Sequence, residues 1–337
     1  MAVIASLLLG ADLVYWRIAS VRLRDELRTW IAARRAEGWD VESGAVSTGG
    51  WPRAAAVTVP ALTLRHAGQD MPGTISWTAA EVGLSLPLYY PSKLRIALTG
   101  PQHIRIGDAP DVIVTGDTIA FSVGLLSEQT LPLTLHAQGL RVEPAAGGWH
   151  LTVGLLNADA EVAPAAGRSQ PLLAFSVSTE AVALPANVRW PLGPNISSLS
   201  TEGALNGPLP QVHDMTRWAE TWRDGGGSLE ISHLALGWGP LGLTAKATLA
   251  LDDQLQPTGS GGAHLVGYAE ALDKMASAGV MSRSAATAAR AVLSLMAGSG
   301  AADESPAVDV PLTLQYRTLS MRHVPLLRLP ALDWPAR

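Results

Sequence analysis

A chain of 337 residues allows two modest domains or one long one, and a hydrophobic fraction of 47% excludes a disordered polymer. Charged residues make up only 16%, against roughly 25% in ordinary soluble proteins, and the net charge of -5 argues against a nucleic-acid binder, which needs a basic face. The absence of cysteine excludes disulfide frameworks, thiolate metal sites, cysteine nucleophiles and a lipidated N-terminal cysteine.

Met1 to Trp16, MAVIASLLLGADLVYW, is apolar except for Ser6 and Asp12. As a helix it spans about 24 Å, short of the roughly 30 Å hydrocarbon core, so a signal-peptide core, a short membrane anchor and a buried helix all fit its length. No A-x-A cleavage pattern follows cleanly, and the amphipathic continuation through Arg35 favours an uncleaved anchor. Leu23, Leu27, Trp30 and Ile31 share one helical face, and Gly38 stands where a helix stop belongs behind Arg34 and Arg35. Residues 1–38 are thus expected to form one helix, membrane-buried at its start and packed on a domain at its end. No Lys or Arg precedes the apolar run, whereas Arg17, Arg22 and Arg24 follow it, an order that by the positive-inside rule places the bulk of the chain in the cytoplasm and conflicts with a periplasmic anchor.

After Gly38 the apolar period changes from 3.6 to 2. In Ser228–Asp253, Leu229 and Ile231 alternate with polar residues, the register slips by one, and Leu234, Leu236 and Trp238 continue the apolar face. Gly239-Pro240 turns the chain, and Leu241, Leu243, Leu249 and Leu251 lie on the same face of the returning strand. Weaker copies recur over Ala45–Leu64, Ile75–Leu86, Leu94–Ile106, Val112–Val123, Leu131–Val142, Trp149–Val162, Leu172–Leu184 and Val308–Val324. With no βαβ rhythm, the fold class is mainly β, a large curved antiparallel sheet, groove-like or sandwich-like. Segment 39–213 is read as antiparallel β. Segment 214–337 adds a short helix, a hairpin, a helical insertion near 268–298 and closing strands, continuous with the same sheet. Asp214 caps the short helix DMTRWAETWRD; Tyr268–Gly298 divides at Gly279, with Ser282 or Ser284 capping its second half, and Gly300–Pro306 follows as an acidic loop.

Nothing in the pattern builds a reaction centre. The histidines at 66, 103, 136, 150, 213, 233, 264 and 323 form no H-x-H or H-x-x-x-H pair, and neither a G-x-S-x-G elbow nor a phosphate-binding Gly-rich loop occurs. Gly225–Gly227 and Gly259–Gly262 read as turns, and Asp252-Asp253 as a hairpin loop. No catalytic, metal or cofactor residue is assigned. Trp51-Pro52, Trp190-Pro191 and Trp334-Pro335 fit either strand-edge packing or an aromatic rim at a lipid–water boundary. Arg17 to Arg35 contribute a loose basic cluster that an acidic membrane would attract.

The W-x-x-x-x-x-x-x-G-W stretch from Trp30 to Trp39, the G-W-P turn at Gly50–Pro52 and the W-G-P-L turn at Trp238–Leu241 resemble the DUF2125 family of bacterial proteins, and the likeness covers nearly the whole chain. It brings no catalytic residues. Its plan, an N-terminal helix leading into a repetitive sheet, is similar to that of AsmA-like envelope proteins, which are associated with lipid movement. This implies a non-enzymatic envelope protein, anchored in the inner membrane by its first helix with the bulk of the chain in the periplasm. It would bind a lipid or other amphiphile on the apolar face carried by Leu229, Ile231, Leu234, Leu236, Trp238, Leu241, Leu243, Leu249 and Leu251. A scaffold holding an envelope protein partner is the alternative, and a hydrolase of envelope substrate a lesser one.

Overall fold

The computed structural model describes residues 2–67, 74–126, 129–163, 171–208, 210, 214–297, 307–321 and 324–334; His213, His323, Gly300–Pro306 and Pro335 lie outside them. The described residues form seventeen strands and four helices, so the protein is mainly β. The strand pairs are antiparallel throughout. The chain divides into two compact units, Met1–Gly148 and Trp149–Arg337. The segments 1–38, 39–213 and 214–337 read from the sequence do not coincide with these units.

The first unit opens with α1 (Ala2–Ala36), followed by β1 (Trp39–Glu42), β2 (Ser47–Gly49), β3 (Ala54–His66), β4 (Ile75–Pro87), β5 (Lys93–Ile106), β6 (Val112–Thr115), β7 (Thr118–Gly124) and β8 (Leu131–Pro144). β1 and β2 pair with successive lengths of β3, and β6 and β7 bridge successive lengths of β5 and β8. Residues paired directly across antiparallel strands point to the same side. Val41, Leu64, Trp77, Ile104 and Val112 therefore form one apolar row. Val57, Leu84, Ile96, Phe121 and Leu135 form another on the same face.

α1 lies on that face. Its Leu23, Leu27 and Ile31 pack against a buried cluster of Val41, Val57, Val59, Leu62, Ala79 and Val82. Two bonds to the sheet backbone hold it there: Trp16 Nε1 donates to the Gly49 carbonyl at 3.1 Å, and Arg35 donates to the Val41 carbonyl. Among the described residues no helix is long and apolar enough to cross a membrane, so the expected N-terminal membrane-spanning helix is not supported. The physical reason is the sequence after Trp16, where Arg17, Arg22, Arg24 and Asp25 break the apolar run and Leu23, Leu27 and Ile31 turn toward the sheet.

The second unit is a meander, each strand paired with the next: β9 (Leu151–Val162), β10 (Leu173–Ala183), β11 (Asn195–Asn206), β12 (Ser228–Trp238), β13 (Leu241–Leu251), β14 (Pro257–Val266), β15 (Ala307–Gln315), β16 (Thr318–Met321) and β17 (Val324–Arg328). The helical interruptions fall where the sequence places them. α2 (Met215–Asp224) is capped by Asp214, which accepts from the Arg217 N–H at 2.7 Å. α3 (Tyr268–Ser277) and α4 (Arg283–Ala297) are separated at Gly279, whose φ is +77°, and Ser282 Oγ accepts from the Ala285 N–H at 3.1 Å. The register slip within β12 is a β-bulge between Ile231 and Leu234.

Indole N–H groups tie strand ends to their connections. Trp222 donates to Asn206 O at 2.9 Å, Trp238 to Gly193 O at 2.8 Å, Trp190 to Pro185 O at 2.8 Å and Trp334 to Leu255 O at 3.0 Å. The tight turns use glycine for a steric reason. Gly50 has φ +91°, and a Cβ there would meet the Ala54 carbonyl oxygen at 2.5 Å; at Gly239, φ +56°, it would meet the Leu192 carbonyl oxygen at 2.4 Å. Gly50→Ala is accordingly expected to lower stability by about 2 kcal/mol or more. Gly49→Ala, where an added Cβ meets nothing within 4 Å, stays within about 0.5 kcal/mol of the parent chain. Urea denaturation curves compared at equal slope check both.

Candidate functional site

A straight helix seated on a twisted sheet touches it along a line, and beside that line the two surfaces part. In the first unit this gap is an apolar groove of about 500 Å³. α1 supplies Leu23, Glu26, Leu27 and Trp30; β3 supplies Val59, Leu62 and Leu64; β4 supplies Trp77, Val82 and Leu84; β5 supplies Leu94 and Ile96. Glu26, exposed on the helix, is the single polar residue of the twelve. The volume falls within the roughly 300–1,000 Å³ of ordinary ligand pockets. Walls without polar partners give water little to bond to and favour an apolar guest.

The helix continues beyond the groove toward the β4–β5 turn. There Tyr15 Oη donates to the Leu88 carbonyl at 3.4 Å, and Tyr89 Oη donates to Asp12 Oδ1 at 3.0 Å. That bond, and then the negative charge of Asp12, raise the Tyr89 phenol above its ordinary value.

The nine residues singled out from the sequence lie in the second unit, and their register joins them. Leu229, Leu234, Leu236 and Trp238 on β12 stand opposite Leu249, Ala245, Leu243 and Leu241 on β13; Ile231 stands opposite Ala247, and Leu251 pairs with Pro257 of β14. The rows extend to Leu199 and Leu205 on β11 and to Leu265 on β14. All nine side chains are half-buried. α3 and α4 take up the neighbouring part of this face, packing Leu272, Leu293 and Met296 around Val308, Val310 and Leu312.

The polar face of the second unit holds a depression of about 560 Å³ with Ser232, His233, Lys246, His264 and Asp309 among its walls. His264 Nδ1 and Asp309 Oδ1 are 3.0 Å apart, a directly opposed cross-strand pair whose carboxylate side chain is 89% exposed. The Ser232 hydroxyl donates to the Glu202 carbonyl at 3.2 Å, so it is not held against a histidine as a nucleophile would be. His136 belongs to β8 in the first unit and His233 to β12 in the second, and the two do not form a site within either unit. Asp252 serves its loop, accepting from the Gln254 and Gln256 N–H groups at 2.9 and 2.8 Å.

Sequence reasoning placed Leu23, Leu27 and Trp30 on one helical face but did not connect them to β3–β5. The signal was available in part: β3 and β4 carry the buried alternation Val57, Val59, Leu62 and Ala79, Val82, which requires a cover.

The fold and the groove define an antiparallel β protein whose first helix roofs an apolar groove. The chain belongs to the DUF2125 family, described as an uncharacterized protein conserved in bacteria, whose model matches residues 16–330. Comparison with curated proteins and with solved structures yields no match. Leu62 both lines the groove and belongs to the core at 4% exposure, so truncating it widens an existing gap. Leu62→Ala is expected to cost about 2–4 kcal/mol of stability, read from the shift of the denaturation midpoint.

Proposed function

We propose that this protein is a non-enzymatic component of the bacterial cell envelope that binds an acyl chain or comparable amphiphile in the groove beneath α1, at the inner membrane and with the bulk of the chain in the periplasm. One observation carries this reading: eleven apolar side chains from a helix and three strands bound a half-open space of about 500 Å³. Burying each methylene of a guest contributes about 0.8 kcal/mol, so about eight of them contribute roughly 6 kcal/mol before the cost of immobilisation. Glu26 at the rim disfavours a carboxylate head group beside it and suits one that presents an ammonium. The plan of a helix leading into an antiparallel sheet with one apolar face is the plan on which the resemblance to AsmA-like proteins rests.

The test is native mass spectrometry of the purified full chain, as isolated and after titration with lysophosphatidylethanolamine. One lipid per chain is expected. Leu27→Trp and Leu84→Trp, which fill the groove from opposite walls, should each reduce uptake at least tenfold while the far-ultraviolet circular dichroism is unchanged. A lipid-free protein that takes up no lysolipid, or filled variants that bind as well as the parent, would overturn the reading. Recovery of a stable protein partner without lipid would favour the scaffold alternative instead.

A further inference from the structure

One end of the first unit gathers features that its own fold leaves unused. The turn between β2 and β3, the turn between β4 and β5 and the segment after β7 meet there: the Leu88 N–H donates to the Arg53 carbonyl at 3.1 Å, and the Leu125 N–H to the Ser92 carbonyl at 2.8 Å. The first half of α1 passes the same end, held by the Tyr15–Leu88 and Tyr89–Asp12 bonds.

Turns usually carry small polar residues. These instead expose Tyr90 at 81%, Leu126 at 72%, and Trp51, Tyr89 and Leu125 beside them. The helix adds Leu9, Leu13, Val14 and Ile18, all exposed. At the other end of the same sheet, the turns Gly107–Pro110 and Pro144–Gly148 hold only glycine, alanine, proline and Asp108. Tyrosine and tryptophan pair an apolar ring with a polar tip, which suits the head-group layer of a bilayer. Among the described residues, Arg17, Arg53 and Lys93 are exposed around the patch, while Asp12 is engaged by Tyr89. That balance of charge complements an anionic lipid surface.

We infer that this end of the first unit docks on the interface of an anionic lipid bilayer, the three turns and the first half of α1 entering the head-group layer together. The docking needs no membrane-spanning segment. It rests on the reading of a membrane-associated envelope protein, but not on the groove holding an acyl chain.

The chain contains no cysteine, so one introduced cysteine carries a unique label. Tyr90→Cys, Leu126→Cys and Asp108→Cys, each in the full chain and labelled with an environment-sensitive nitrobenzoxadiazole dye, are mixed with phosphatidylcholine–phosphatidylglycerol vesicles. Emission at positions 90 and 126 should rise several-fold and shift to the blue, while position 108 stays unchanged. Arg53→Gln and Lys93→Gln should each weaken vesicle affinity roughly fivefold, with added salt acting the same way. Unchanged emission at 90 and 126 would overturn the inference even where lysolipid uptake by the groove persists. So would an equal rise without vesicles that depends on protein concentration, which would assign the patch to a second copy of the chain. Vesicle docking without lysolipid uptake would leave this inference standing and remove the groove reading alone.

Discussion

The first unit depends on one contact, the apolar stripe of Leu23, Leu27 and Ile31 lying against β3 and β4. Without it the rows running through Val57 and Leu64 would face solvent over several strands, far more apolar surface than a soluble domain tolerates. The contact also creates the groove. A single helix is about 10 Å wide and β3 to β5 are thirteen or fourteen residues long, so one helix cannot cover the whole face. What it leaves beside itself, between Trp30 and the Leu84–Ile96 row, is apolar because the sheet there was already built to be buried.

The second unit meets the same demand differently. Its apolar rows cross from β11 to β15 through Leu199, Leu236, Leu243, Leu265 and Val308, and the cover comes from α3 and α4, inserted between β14 and β15. The helices sit near the strands they connect, so their packing centres on β14 to β16 while the β12 and β13 side chains remain half-buried. A short insertion covers what is adjacent to it in sequence; a helix of 35 residues, about 52 Å long, reaches further. That difference in reach explains why a well-bounded apolar groove forms beneath α1.

Much of this was legible from residue order. Period-two alternation located most of the strands, and the single-residue slip after Ile231 marked the bulge in β12 because one extra residue moves every later side chain to the other face. Asp214, Gly279 and Ser282 announced the helix ends by their capping chemistry. The groove was less legible, because Leu94 and Ile96 lie more than sixty residues from Trp30 and nothing local couples them. The three motifs behind the family resemblance turn out to be architectural. Each contains a glycine at positive φ, Gly38, Gly50 or Gly239, and each reverses or ends an element. Such motifs identify a fold with confidence in its turns and carry no chemistry, since the residues that bound the groove are ordinary leucines, valines and isoleucines.

The apolar stripe of α1 does not stop where the sheet does. Leu9 and Leu13 precede Leu23 and Leu27 by fourteen residues, close to four helical turns, and so lie on nearly the same side of the helix. Trp16 is bonded to Gly49 of β2, and Leu9 and Leu13 beyond it are exposed. One continuous stripe thus has two environments, protein for its second half and solvent for its first. In the proposed docking the bilayer interface replaces that solvent, and Leu13 then stands about 15 Å along the helix from Leu23 at the groove.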